Sequence, residues 1–517
     1  MTNTHFHRET GSFDYDVMVV GAGPSGLTTA IALARTGVST LLVEKHPGLS
    51  LFPKATGLRP RTMEILRSWG LEQTVLSQSQ PTRLSMAIRP MLAVPGTEVS
   101  MGLPTPAELE AVSPSQIGVC PQDRLEAILL DHLRAVGGMV RFSTVLDDFN
   151  LDVAGVTARL TDRTSGATEE VHVQYLVGAD GAHSAVRDLL GIGWETLGSE
   201  GNHLAALYRA DLAAVVGEEP HALTMVVAPG LEGMFVPTGE TNRWIYDIEW
   251  HPEAGETVEH WTPGRMAERI RAASGVPGLD VDLIGLFPWD FGAAVAERQR
   301  CGRVFLVGDA AHRTTPRGAT GMNTGIADGH NLGWKLAWVV RGWAGANLLD
   351  SYEAERAGVG RANAEASLQT SLGGPSESAL AHDFGVVYHS GAICGDNPLA
   401  GHRAPHAWIT VNGRSASTID QFDGRLTVLT GPAGAPWRTA AARASGGAPL
   451  AVLTVGRELD DPTGELSSAY GLGAGGCILI RPDGYVGWAA SHGSTPSDLA
   501  RAIETVTGRA EVLQLVG

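Results

Sequence analysis

Residues 15–44 read YDVMVVGAGPSGLTTAIALARTGVSTLLVE. Tyr15–Val20 is a short apolar run, the glycines of GAGPSG follow it directly, and LTTAIALARTG continues with helical spacing. A second apolar run, Ser39–Val43, ends in Glu44, 18 positions after Gly26. Strand, glycine turn, helix and strand make a complete βαβ unit, and an acid near that offset is the arrangement of a dinucleotide fold. Each glycine answers a separate steric demand. Gly21 makes the tight turn, Gly23 lets backbone approach a pyrophosphate, and Gly26 lets the helix pack closely on the strand. The anion then sits at the helix start, beside Pro24 and Ser25. Glu44 accepts hydrogen bonds from a ribose diol and repels a 2′-phosphate, which selects FAD or NAD over NADP.

Two distant segments repeat the strand-end pattern. Tyr175–Ala179 (YLVGA) runs into DGAHSAVR at Asp180–Arg187, and Val304–Val307 (VFLV) runs into GDAAH at Gly308–His312. Each ends in an acid beside glycine, where open α/β sheets place ligand-binding loops. With GAGPSG, DGAHSAVR and GDAAHRTTPRGATGMNTGIADGHNLGWKLAW in place, the chain resembles the class A flavoprotein aromatic hydroxylases, single-component FAD monooxygenases of the phenol hydroxylase and polyketide hydroxylase type. The resemblance implies that Asp309 holds the FAD ribityl chain and that the loop from Pro316 through Gly321 and Met322 to Asn323 approaches the isoalloxazine. It implies that Asp180 belongs to a motif serving FAD and NAD(P)H, and that Gln122, in PQDRLEAILLDHL, contacts the flavin region. Lys45 and Lys54 complete the expected cofactor set. Two departures stand out. Lys54 replaces an arginine frequent in the family, keeping the charge but losing the guanidinium fork, and Ala319 replaces one glycine of a pair, adding a methyl near the flavin ring. His312 is read as packing at its strand end, His183 as facing solvent, and Arg59 and Arg61 as surface charges around a helix start at Thr62.

The expected fold class is α/β. A discontinuous Rossmann-type FAD-binding domain covers 13–190 and 290–370, an antiparallel-sheet substrate domain has its main part in 191–290, and a thioredoxin-like domain covers 405–517. ALTMVVA, GMFVPTG and NRWIYDIEW alternate as strands of a sheet with one face over a ligand. Met225, Phe235, Trp244, Tyr246, Trp289 and Phe291 are candidates for a flat hydrophobic substrate pocket, with ordinary core as the competing reading, because period two alone does not say which face meets ligand. Asn331–Arg341 and Leu348–Leu372 read as helices, and GGPSES marks a boundary. Beyond it, GRLTVLTG, APLAVLTVG and GCILIRPDGYVGWAAS resemble the thioredoxin-like extension of phenol hydroxylase-type members; no CxxC is present, so a structural role or a homodimer contact is expected rather than thiol–disulfide exchange.

The whole chain sets the remaining bounds. Its 517 residues, 43% hydrophobic and 18% charged, describe a multidomain globular protein. Lys+Arg 38 against Asp+Glu 56 leaves a net charge of −18, which repels phosphate backbones and anionic lipid, so neither nucleic acid nor membrane is an expected partner. Cys120, Cys301, Cys394 and Cys477 are widely spaced, and no metal site is expected; His5 and His7 in the lead-in supply too few ligands. With no apolar leader and no apolar run of about 18 residues, the reading is cytoplasmic. The resemblance implies the chemistry: NADPH or NADH reduces FAD, O₂ adds to the ring, and the flavin hydroperoxide passes one oxygen to a phenolic or polycyclic, polyketide-like aromatic substrate. Two alternatives stay open, a Baeyer–Villiger-type or rearranging monooxygenase on a polycyclic quinone, and a non-catalytic FAD-binding or electron-carrying protein. No side chain is identified as the catalytic base.

Overall fold

The computed structural model describes residues 13–79, 81–371 and 379–510. The readings placed on His5 and His7, on GGPSES and on residues 511–517 lie outside these. Tyr15–Val20 sits at the centre of a parallel array, with Thr168–Gly178 and Val304–Leu306 on one side and Thr40–Val43 and Met139–Arg141 on the other. Residues 17–20, 41–43, 175–177 and 304–306 of these strands read as continuous apolar runs because both of their faces are covered, while the edge strand Met139–Arg141 is partly exposed. Register fixes the consequence. Val20 lies beside Gly178 and Gly178 beside Leu306, so the loops carrying Gly21, Asp180 and Asp309 leave the sheet at one edge.

Two helices meet over this edge, Pro24–Ala34 and Gly321–Val340. The second begins ten residues before the expected Asn331, in a glycine-rich stretch of poor intrinsic helix propensity. Packing explains the glycines: a Cβ at Gly329 would lie 2.6 Å from the Ser25 carbonyl, and one at Gly333 would lie 2.5 Å from Ala32 Cβ. Close approach of the helices overrides local preference. The following helix runs Asp350–Ser371, within the expected Leu348–Leu372.

A second sheet runs in the order His312–Arg313, Asp282–Ala296, Trp194–Arg209, Arg243–Trp250, Gly233–Glu240, His221–Val226, Arg83–Arg89, Thr97–Ser100. Arg83–Arg89 and Thr97–Ser100 therefore belong here and not to the nucleotide-binding segment expected over 13–190. Short local patterning hid this, because Arg83–Arg89 joins through a parallel pairing with His221–Val226, distant in the chain. Helix Pro263–Ser274 covers one face; it starts at a Thr262 cap with proline in its first turn and stops at left-handed Gly275. The other face opens on a cleft.

A third sheet, Leu450–Thr454, Leu426–Thr430, Cys477–Ile480 and Val486–Ala489, carries helices Ala435–Ala444 and Pro496–Val506. Buried charges join it to the long helices. Lys335 Nζ donates to Glu355 at 2.7 Å, and the Arg481 guanidinium donates to both Glu355 oxygens at 2.6 and 2.8 Å and also bonds Asp483. Burial alone would raise the Glu355 carboxyl, but Arg481 and Lys335 hold it far below the usual range. Burial pulls Lys335 down to about 8 against the pull of Glu355. Among the described residues all four cysteines are free, no His/Cys/Asp/Glu group could hold a metal ion, and no helix is long and apolar enough to cross a membrane.

Candidate active site

The three strand-end loops and the open sheet face enclose one continuous cleft of about 2890 Å³. At its nucleotide end Gly21 adopts φ +107°, and a Cβ there would meet Ala179 backbone; a Cβ at Gly26 would run into the Gly21 carbonyl. Only glycine permits this turn. Gly26 therefore lies behind the turn and shapes it, while Gly21, Gly23, Pro24 and Ser25 line the cleft. A Cβ at Gly23 would point into open space, and no side chain caps the helix start. Its first-turn N–H groups thus suit a pyrophosphate brought close to bare backbone. Glu44, also on the wall with Lys45, accepts Ala22 N–H and His46 N–H, each at 2.9 Å, which leaves lone pairs on both oxygens for a diol.

Asp309 projects from the turn after Val304–Leu306, exposed to the cleft and with no hydrogen bond from the described residues. Beneath it, buried Asp328 accepts from Gly308 N–H at 3.1 Å, His312 Nε2 at 2.5 Å and Arg356 Nε at 2.7 Å. Burial pushes the Asp328 carboxyl up, and His312 and Arg356 overcome this and hold it at about 2. His312, 1% exposed, is thereby a packing residue. Asp180 accepts Ser184 Oγ at 2.5 Å and Val186 N–H at 3.1 Å, so it caps the short helix Ala185–Leu189 while facing the cleft; burial raises its carboxyl. His183 is exposed on the same wall.

Pro316, Gly321 and Met322 line the cleft. Asn323 does not: its amide donates to the Gly57 and Ala319 carbonyls at 3.0 and 2.9 Å and its oxygen accepts Arg59 N–H at 2.9 Å, so it pins the loop from behind. Ala319 takes a left-handed φ of +51°. Arg59 and Arg61 are not free surface charges: Arg59 pairs with Asp383, and Arg61 bonds Glu64 at 2.9 Å and the Asp483 carbonyl at 2.7 Å. Lys54 and Gln122 line the cleft together with Glu126, which sequence reasoning missed. Gln122 Nε2 donates to Glu126 at 2.7 Å, one helical turn away, and burial pushes the Glu126 carboxyl up to about 7. Spacing of four on one helix was the available signal.

On the sheet wall, Met225, Trp289 and Phe291 line the cleft. Phe235, Trp244 and Tyr246 do not; they are buried on the opposite face against Met266 and Ile270 of the covering helix. Their strand neighbours Val236, Ile245 and Asp247 face the cleft instead, an inversion of parity by one residue. Phe287 also lines it, stacked on Phe52 at 4.2 Å. Sequence reasoning further missed His203 and Asp247. His203 Nδ1 lies 2.6 Å from Asp247, Trp289 Nε1 donates to the other Asp247 oxygen at 2.9 Å, and the His203 ring stacks on Phe291 at 3.6 Å and 11°.

A family model described as FAD binding domain matches residues 14–367, and one described as aromatic-ring hydroxylase, C-terminal, matches 397–510. Aklavinone 12-hydroxylase RdmE of Streptomyces purpurascens is 36% identical, over 96% of this chain and 98% of its own. Tetracenomycin A2 monooxygenase-dioxygenase of Streptomyces glaucescens is 35% identical, over 95% of this chain and 96% of its own. A solved ternary complex of aklavinone-11 hydroxylase with FAD and aklavinone superposes with a TM-score of 0.88 at 34% identity, covering 97% of this chain and all of that one.

Proposed function

Because this chain belongs to the FAD-dependent aromatic-ring hydroxylases, and is thus a flavin monooxygenase, we propose that it hydroxylates a polycyclic phenol of the polyketide class, with NADPH or NADH as electron donor. One observation carries the reading: the glycine cradle opens without a partition onto a wall bearing Phe287, Trp289 and Phe291, so a nucleotide-bound ring system and a flat aromatic fit in the same space. FAD, when bound, supplies reduction by NAD(P)H and activation of O₂. The chain supplies the rest. The helix start at Gly23–Ser25 takes the pyrophosphate, Glu44 the adenosine ribose, and Asp309 a hydroxyl of the ribityl chain. Gly321 and Met322 border the ring, and the apolar sheet face excludes water from it.

The third sheet is read as thioredoxin-like, with Leu426–Thr430 parallel to Leu450–Thr454 and antiparallel to Cys477–Ile480, and as a support for the two long helices rather than a redox module. Burial pushes the Cys394 thiol up to about 11 and raises that of Cys477, on the sheet itself, further still, the reverse of what exchange chemistry needs. The free cysteines suit a cytoplasmic enzyme.

The test is NADPH and NADH oxidation by FAD-loaded protein with tetracyclic hydroxyquinones and simple phenols under ¹⁸O₂, with products taken to mass spectrometry. A compound that speeds oxidation and gains one labelled phenolic oxygen supports the proposal. A labelled lactone replaces it with oxygen insertion, and absence of any stimulated oxidation replaces it with electron carriage.

A further inference from the structure

Resting on that hydroxylation reading, we propose that His203 is the catalytic base that takes the hydroxyl proton of the phenolic substrate, and that Asp247 is the residue that positions it. The Trp289 indole N–H is a donor only, and it occupies one Asp247 oxygen. The other oxygen, an acceptor, faces His203 Nδ1 at 2.6 Å, so the imidazole proton resides on Nδ1 and the lone pair on Nε2. Nε2 has no hydrogen bond from the described residues, the side chain is 16% exposed, and the residue lines the cleft. Asp247 is only 4% exposed at its side chain, a buried counter-charge for the imidazolium that forms. Stacking on Phe291 fixes the ring plane.

Two other acids on this wall are engaged, Asp290 with Arg313 and Glu200 with Arg317 at 3.2 Å, while Glu249, opposite His203, is exposed to solvent. His203 presents an unspent lone pair from within the sheet wall, backed by a buried carboxylate. In the step assigned to it, the substrate O–H bond breaks, its electron pair stays on the substrate oxygen, and the proton moves to Nε2. The ring carbon ortho or para to that oxygen becomes more nucleophilic, which oxygen transfer requires. The proton returns when the product hydroxyl re-forms, so the step consumes no oxidant.

The same geometry makes Asp247→Asn a sharp test. Trp289 N–H forces the asparagine oxygen toward itself, so the NH₂ group faces His203 Nδ1, and the imidazole proton transfers to Nε2, where it blocks the base. In Asp247→Asn/Trp289→Phe the amide is free to turn, and activity should partly return. The assay uses FAD-loaded enzyme with two probes, a hydroxyanthraquinone that is neutral at the assay pH and a ring-nitrated one that is already ionised. For His203→Gln, product from the neutral probe should fall on the order of 100-fold while NADPH oxidation continues with release of peroxide; the ionised probe should lose far less. Equal loss on both probes, or loss on neither, overturns the proposal. Nitrogen NMR of ¹⁵N-histidine protein, with His203 identified by difference from His203→Gln, needs no substrate: protonation at Nδ1 supports the dyad, and protonation at Nε2 overturns it. Wild-type enzyme that oxygenates neither probe counts against the hydroxylation reading, and the NMR result still decides the dyad.

Discussion

The two ends of the cleft are built on different principles. The nucleotide end takes its shape from backbone: Gly21 and Gly26 occupy places where any Cβ would strike a carbonyl, and the helix start presents bare N–H groups. The substrate end is made of side chains on one face of a sheet, where a shift of one residue exchanges wall for core. A backbone site tolerates almost one residue type and so leaves a motif; a sheet-face site tolerates many and leaves only parity.

The largest expected effect tests the backbone half. Gly26→Ala places a methyl against the Gly21 carbonyl and forces the strand–helix turn apart. FAD affinity should fall at least ~100-fold, about 3 kcal/mol, consistent with a clash that no rotamer relieves. Retained flavin absorbance after gel filtration, with circular dichroism to verify the fold, is the measurement. Alanine-variant protein holding stoichiometric FAD would break the contrast between the two ends.

The parity claim is tested by paired truncations across the second sheet. Phe235, 1% exposed on the covered face, should lose about 3–5 kcal/mol of stability as Phe235→Ala with substrate KM unchanged. Phe287, on the cleft face, should do the opposite as Phe287→Ala: KM for a polycyclic probe rises about tenfold, the worth of one aromatic stack, with ~1 kcal/mol or less of stability lost. Urea midpoints and steady-state kinetics on both variants separate the outcomes, and equal behaviour would mean the sheet has no distinct wall.

How much of this was legible follows from the same contrast. The βαβ unit, the strand-end acids and the flavin-side loop lie within contiguous motifs whose glycines are sterically required, and they meet at one sheet edge. Asn323 and Gly26 sit inside those motifs yet act from behind the wall, which a motif does not reveal. The sheet face was not readable. Pairing between Trp194–Arg209 and Asp282–Ala296 slips between Thr196 and Gly198 and again between Ser199 and Asn202, immediately before His203, so alternation counted along the chain loses phase there. The His203–Asp247–Trp289 set joins three strands, and no local spacing encodes it.

Glu126 sharpens the comparison from the nucleotide side, being one of the side chains, with Gln122 and Lys54, in a region whose shape is set by backbone. Burial raises its carboxyl from 4.5 to about 7, against hydrogen bonds from Gln122 and Ser50 and the charge of Lys54. Between those two pH values the folded protein holds a proton that the unfolded chain has released, so stability falls as pH rises through the window. The loss, complete above pH 7, is at most about 3 kcal/mol. Glu126→Gln removes this titration. Whatever constant offset the amide introduces, the urea midpoint of the variant should gain on wild type as pH goes from 5 to 8, and parallel profiles would show that the carboxyl titrates normally.

The smallest effect concerns Ala319, the departure that lies where the two ends of the cleft meet. Its φ of +51° costs an L-residue ~1–2 kcal/mol, and Asn323, donating to the Ala319 carbonyl at 2.9 Å, helps hold it there. Ala319→Gly releases that strain but loosens the unfolded chain by ~0.4–1 kcal/mol, so the net gain should lie between zero and ~1.6 kcal/mol. The urea midpoint should stay level or rise slightly. A loss of stability larger than this would mean that the alanine methyl makes contacts worth more than its backbone strain, and that the turn is held by side-chain packing. A gain within the expected range would instead show that glycine suits this turn for its backbone, as at Gly21, and that Asn323 lets alanine occupy the same conformation.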